Sequence, residues 1–174
     1  MSNPIKIVAV AAMSNNRVIG KGGVIPWRVK SDFQHWRNMS RGKVVIMGRK
    51  TFEDMPPQFQ KRPHIIVITR DKNWSFNDVI ITHGIEEAFK AAYKICDETH
   101  KTEIIIGGGA EIYAQALPQT EAVYLTTIDT TVENGDALFP ILDESEWQAV
   151  DDLYEFEEFA GDTATATMQK YIRI

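Results

Sequence analysis

Asp32, Phe33 and Trp36 bring a carboxylate together with two large rings. Asp32 and Trp36 are spaced i, i+4, so on a helix they share a face, with Phe33 adjacent. A carboxylate in such surroundings costs free energy unless a partner satisfies it. Its two oxygens match a donor fork such as the amide N–H and 2-amino group of a pterin. Read alone, Asp32 serves equally well as an acid compensating the dipole of a helix N-terminus.

A second pattern runs from Glu103 to Tyr113, where a β-branched run ends in Gly107-Gly108-Gly109 and passes directly into Ala110-Glu111-Ile112-Tyr113. Glycine permits positive φ and close approach of a ligand, and the free N–H groups of a following helix suit phosphate. Ile112 stands where the third glycine of a G-x-G-x-x-G fingerprint would be, and no phosphate loop ending in G-K-[ST] occurs, so neither standard nucleotide motif is complete. A tight turn with no ligand remains open on this motif alone. Cations follow two other strand-like runs: Arg49 and Lys50 after Val44–Met47, and Arg70 after Thr69. Carboxyl ends of strands in open α/β sheets are where ligands bind. Three cations there could clamp a ribose 2′-phosphate, which favours NADPH over NADH. Any one of them alone reads as readily as a solvated surface charge.

The elements that would position these residues alternate along the chain. Ile5–Met13, Val44–Met47, His64–Thr69, Val79–Ile81, Glu103–Ile106 and Ala122–Ile128 read as strands, several apolar enough to be buried on both faces. Ser31-Asp32-Phe33-Gln34 has capping-box spacing and predicts a helix start. Ile85, Ala88, Phe89, Ala92 and Ile95 predict an amphipathic helix. Ala110 to Leu117 reads as a short helix stopped by Pro118. Asp151–Phe159 and Thr163–Ile174 predict an antiparallel hairpin around Gly161-Asp162. The expected architecture is one α/β domain over residues 1–174, a mostly parallel sheet with an antiparallel edge.

Composition narrows the class. The chain has 174 residues, and its net charge of −5 argues against a general nucleic-acid binder. The early apolar run Ile7 to Met13 is too short to cross a membrane, and no secretory signal pattern precedes it. Cys96, the single cysteine, cannot form an internal disulfide, and on the amphipathic helix it reads as packing rather than a nucleophile. A cytoplasmic location is expected, and no membrane partner. His35, His64, His83 and His100 show no ligand spacing, so no metal site is expected, and His35 reads as a helix-surface residue.

In order and spacing, Val18-Ile19-Gly20, Pro26-Trp27, Asp32, Ile46-Met47-Gly48-Arg49-Lys50-Thr51 and Gly107 to Tyr113 resemble the dihydrofolate reductase family. Tyr124 to Asp129 and Gly135-Asp136…Phe139-Pro140 extend the likeness over nearly the whole chain. The resemblance implies an eight-stranded, mostly parallel twisted sheet with a C-terminal antiparallel hairpin, flanked by four helices, and hydride transfer from NADPH to dihydrofolate. It implies Asp32 as the lone acid binding the pterin, Thr126 supporting it, and Trp27 helping to hold an ordered water. Val10, Ala11, Ile25, Phe33, Trp36 and Met55 would line the substrate pocket, with Phe59 at its outer end and Arg62 on the tail carboxylate. Ala12, Ile19 and Gly20 would contact the nicotinamide side of the cofactor. Gly48, Arg49, Lys50, Thr51, Thr69 and Arg70 would contact its adenosine and phosphate side. Gly108, Gly109, Ala110, Glu111 and Ile112 would form the pyrophosphate turn, with Tyr113 near both ligands and the Gly108–Gly109 peptide cis.

The family likeness also implies a monomer and antifolate inhibitors as ligands. Two positions depart from the common pattern: Trp36 where phenylalanine is more usual, and Gly107 where alanine or a larger aliphatic is common. These bear on inhibitor sensitivity more than on activity. One residue is inserted around Asn134-Gly135. Lys21-Gly22-Gly23 is expected to belong to a lid. The rival readings are a related NADPH-dependent pyrimidine reductase of riboflavin synthesis, against which Asp32 and Arg62 argue, and a non-catalytic NADPH-binding module.

Overall fold

The computed structural model describes residues 3–174. Ten strands lie at Lys6–Ser14 (β1), Val18–Gly20 (β2), Val44–Gly48 (β3), Ile65–Ile68 (β4), Ile80–Thr82 (β5), Glu103–Ile106 (β6), Ala122–Ile128 (β7), Ala137–Leu138 (β8), Trp147–Glu155 (β9) and Ala166–Arg173 (β10). Eight form one sheet in the order β5-β4-β3-β6-β1-β7-β10-β9, while β2 and β8 pair separately. Pairing is parallel from β5 through β7 and antiparallel for β7–β10 and β10–β9. The helices are Lys30–Ser40 (α1), Arg49–Glu53 (α2), Pro57–Gln60 (α3), Ile85–Thr99 (α4) and Ala110–Ala116 (α5), the last followed by a 3-10 turn at Leu117–Gln119.

Alternation along the strands divides the core into two faces. Ile7, Ala9, Ala11, Ile104 and Ile106 pack with Ala88, Phe89, Ala92 and Ile95 of α4 and with Ile112 and Tyr113 of α5. Val8, Val10, Val45, Met47 and Ile105 face the other way, against Phe52, Phe59, Trp36 and Met55. A sheet buried on both faces needs apolar residues at every strand position, which is why these strands were legible as continuous runs.

Three expectations need correction. There are five α-helices rather than four; α2 and α3 are too short to carry a helical period in sequence. The capping box does not form: α1 begins at Lys30 after Val29, without a side-chain cap, and the Ser31 hydroxyl is buried without a protein partner. The C-terminal strands run over Trp147–Glu155 and Ala166–Arg173, so Gly161-Asp162 sits within a long connection, residues 156–165, rather than a tight turn.

The inserted region is well packed. Asn134 adopts φ +57, and a Cβ on Gly135 would lie 2.4 Å from Val18 Cγ1 and 2.6 Å from Val18 Cγ2. Valine is stiff at χ1, so Val18 cannot swing away without disturbing β2. Gly135→Ala should therefore destabilise the fold by about 1–3 kcal/mol, measured as a lowered urea midpoint at constant slope.

Candidate active site

The acid is placed by long-range contacts as well as by its own helix. Lys30, the first residue of α1, donates its N–H to Asp162 Oδ1 at 3.0 Å, so the connection before β10 supplies the cap that Ser31 does not. Arg28 N–H donates to Thr163 Oγ1 at 3.0 Å, and Thr163 N–H donates back to Arg28 O at 2.8 Å. The segment entering α1 is thus tied to the far end of the chain, and Asp32 follows in the first turn.

Asp32 retains some solvent contact, yet loss of hydration around its carboxyl raises its pKa from 3.8 to about 6. It forms no ion pair among the described residues. Thr126 on β7, beside Ala12 of β1 in the sheet, partly offsets the rise. The Thr126 hydroxyl is buried without a well-formed hydrogen bond to the protein, yet it stands near enough to Asp32 to favour its charged form.

Tyr113 connects this acid to the glycine turn. Its hydroxyl donates to Val10 O at 2.8 Å, and a Cβ on Gly108 would lie 2.9 Å from its ring. Burial, and then the charge of Asp32, push the phenol above its ordinary pKa. Carboxylate, tyrosine and glycine turn therefore share one locality.

At the turn the Gly108–Gly109 peptide is cis and Gly48 N–H donates to Gly108 O at 2.8 Å. A Cβ on Gly109 would meet Thr51 Oγ1 at 3.3 Å, so α2 and α5 start side by side, neither with a side-chain cap. Gly48, Thr51, Gly108, Gly109, Ala110 and Ile112 are thus brought together. Arg49 and Lys50 open α2, half-buried and exposed respectively, while Thr69 is buried just beyond β4. Arg49 pairs with Asp71 at 3.5 Å, and Arg70 donates to both oxygens of Glu111 at 3.1 and 3.0 Å. Ala12 lies on β1, and Ile19 and Gly20 lie on β2 below the loop Lys21–Gly23. Gly22 N–H in that loop donates to Asp136 Oδ2 at 2.9 Å.

Phe33, Trp36, Met55, Phe59 and Arg62 line one cavity of about 180 Å³ together with Arg37, Pro56 and Gln58. Trp36 and Phe59 pack with ring centroids 5.0 Å apart. Arg62 lies over the Phe59 ring at 4.9 Å and donates to Ser40 Oγ at 3.0 Å. Its pKa is lowered by burial and by the charges of Arg41 and Arg37. Val10 and Ala11 are buried in β1 outside this cavity. Ile25 is 57% exposed and lines a separate open depression of about 330 Å³ with Pro26, Trp27, Arg28, Gly161 and Thr163. Trp27 is half-buried against the cluster of Val29, Ile128 and Ala166. His35 is not a surface residue: it is half-buried against Phe156, ring centroids 5.4 Å apart.

Arg37, Arg41, Pro56 and Gln58 were missed in the sequence. Pro57 at the first position of α3 was the available signal for the last two, since proline is favoured there. Arg37 was readable as the residue after Trp36, but nothing local distinguished it from a solvated charge.

An α/β sheet carrying a lone desolvated acid beside a glycine turn at its strand ends defines a class of nucleotide-using enzymes acting on a small polar heterocycle. Comparison narrows the class. Residues 6–173 match the family model for dihydrofolate reductase. A dihydrofolate reductase of Staphylococcus haemolyticus is 40% identical over 146 residues, covering 84% of this chain and 83% of that one. A type A13 dihydrofolate reductase of Escherichia coli is 34% identical, covering 97% of this chain and 95% of that one. A dihydrofolate reductase structure from Enterococcus faecalis, complexed with NADP(H) and RAB-propyl, superposes with a TM-score of 0.80 at 26% identity, covering 97% of this chain and 96% of that one. The chain belongs to the dihydrofolate reductase family.

The raised pKa of Asp32 fixes the sign of a stability effect. Between about pH 4 and 6 the folded acid holds its proton while the unfolded acid has lost it, so this group's contribution to stability falls as pH rises through that window. Asp32→Asn removes the fall. Urea unfolding should show the variant gaining on the wild type from pH 4 to 6 and levelling above. The gain is at most about 3 kcal/mol, at roughly 1.4 kcal/mol per pKa unit; an equal difference at pH 4 and pH 8 contradicts the desolvation.

Proposed function

We propose that this chain reduces 7,8-dihydrofolate to 5,6,7,8-tetrahydrofolate with NADPH, supplying one-carbon metabolism as a cytoplasmic monomer of one domain. The observation that carries the reading is the unpaired, desolvated Asp32 carboxyl within electrostatic reach of Tyr113, whose ring covers Gly108. A pyrimidine reductase has no evident use for both this acid and Arg62. Every side chain assigned a part in this reading lies on this one chain.

The residues fit NADPH. A Cβ on Gly108 would strike the Tyr113 ring and one on Gly109 would crowd Thr51 Oγ1, so the turn keeps its bare backbone open to a ligand only as glycine. Arg49, Lys50 and Arg70 stand at its rim, suited to the 2′-phosphate. Once bound, the cofactor supplies the hydride that no side chain can give.

The chain's own residues bind and orient. Asp32 accepts the amide and amino donors of the pterin, and Thr126 steadies the carboxylate. Phe33, Trp36, Met55 and Phe59 hold the rings and exclude water, with Val10 and Ala11 buried in the strand behind them, and Arg62 takes the tail carboxylate. The donor fork lies on the opposite edge of the pterin from N5, so Asp32 cannot hand its proton there directly. A water held near Trp27 delivers it, while the negative charge of Asp32 favours the protonated ring. The Lys21–Gly23 loop, anchored through Asp136, acts as the lid. Antifolates that present the same donor fork compete for Asp32.

In a spectrophotometric NADPH assay, Asp32→Asn should slow dihydrofolate reduction by roughly 10²–10⁴ and remove the titration near pH 6 from kcat/KM; unchanged turnover across pH refutes the role. Arg70→Gln should lower the preference for NADPH over NADH about tenfold while leaving NADH use alone. An unchanged ratio shows that Arg70 does not read the 2′-phosphate.

A further inference from the structure

We propose that Trp36 and Gly107 form a size-matched pair that sets the fit of the aryl part of the substrate, with the indole occupying the volume that a side chain at position 107 would fill. The inference rests on the function proposed above and deepens it by naming what shapes one wall of the pocket.

Strand alternation puts position 107 on the same face as Ile105, the face that carries Val45, Met47, Trp36 and Phe59. Gly107 is buried there, and its N–H donates to Ile46 O at 2.9 Å, so the backbone is fixed by the sheet. A Cβ on it would lie 2.9 Å from Met47 Cε, 3.2 Å from Trp36 Cζ2 and 3.4 Å from Val45 Cγ1. Met47 Cε is the end of a flexible chain and can move. The contact at 3.4 Å is ordinary. The indole is rigid, wedged between Gly107 and the Phe59 ring, so it is the group that must give way, and the space open to it is the cavity it lines.

The position of that cavity decides which part of the substrate is affected. Trp36 stands one helical turn after Asp32, and Arg62 lines the same cavity. A ligand holding its heterocycle at Asp32 and its tail carboxylate at Arg62 therefore lays its connecting aryl group against Trp36. Gly107 touches no ligand in this reading. It acts by the side chain it lacks, as a specificity-determining position working through Trp36.

The test compares dihydrofolate with a dihydropterin that lacks the aryl tail, in the wild type and in Gly107→Ala, Trp36→Phe and the double variant, with NADPH Kd measured on each. Gly107→Ala should lower kcat/KM for dihydrofolate about tenfold, mainly through KM, with the truncated substrate and NADPH Kd within about twofold of wild type. The double variant should return dihydrofolate to within about threefold of wild type, because phenylalanine leaves room for the new methyl group. Equal losses on both substrates, or a double variant whose defect is the product of the single ones, overturns the pairing. Should Gly107→Ala fail to bind NADPH, recovery of NADPH binding in the double variant supports the pair and lack of recovery overturns it. A wild-type chain that binds NADPH but turns over neither substrate overturns the proposed function and this inference with it, whereas additivity in an active chain overturns the inference alone.

Discussion

A carboxyl group held away from water with no cationic partner is the constraint to which the rest of this structure answers. The fold places Asp32 where the ordinary remedies, a salt bridge or full hydration, are missing, and its pKa rises to about 6 as a result. Such a group is destabilising unless a ligand supplies what the protein withholds. A neutral donor fork does so without cancelling the charge, and a charge left standing beside a ring can still act on the ring's basicity. Thr126, close to the carboxyl, moderates the cost without removing it.

Keeping that acid in place is a task shared by residues far apart in sequence. The N-terminus of α1 is capped by Asp162, and the preceding segment is bonded to Thr163. The C-terminal pair β9–β10 thus does more than extend the sheet: the connection between its strands reaches back to fix where α1 begins. On the cofactor side, β3 and β6 are neighbours in the sheet, so the turns that follow them meet, and Gly48 bonds to Gly108. Parallel pairing brings distant segments to one end of the sheet, and the two ligand subsites are consequences of that geometry.

Local chemistry made much of this legible in advance. The runs Glu103–Ile106 and Ala122–Ile128 form strands with the predicted bounds, because burial of most positions keeps both rich in apolar and β-branched residues. The apolar stripe of α4 was equally plain, since one face packs on the sheet and the other is solvated. Failure came where the deciding contact is long-range. Ser31 has the right spacing for a cap, but α1 already begins at Lys30, whose N–H goes to Asp162, and no pattern near residue 31 announces that. Pocket residues were legible in type at Phe33, Trp36, Met55, Phe59 and Arg62 through family likeness, whereas Arg41 enters only through its field on Arg62.

Positive charge gathers at one side of the cavity that Trp36 and Phe59 line, and in the proposed function this bears on how a substrate enters it. Arg62 and Arg37 line the cavity beside Trp36 and Phe59; burial first, and then the charges of Arg41 and Arg37, lower the pKa of Arg62, and none of the three forms an ion pair among the described residues. The whole chain carries a net charge of −5, so this concentration of positive charge runs against the protein's average field. A ligand with a donor fork at one end and a carboxylate at the other meets attraction at both ends in one orientation. In the reverse orientation it meets a desolvated like charge at Asp32, which low local polarity makes costly. In the proposed function, orientation is set by repulsion as much as by attraction. The aromatic middle of the groove, which reads shape alone, can then be set by a pair as simple as Trp36 and Gly107.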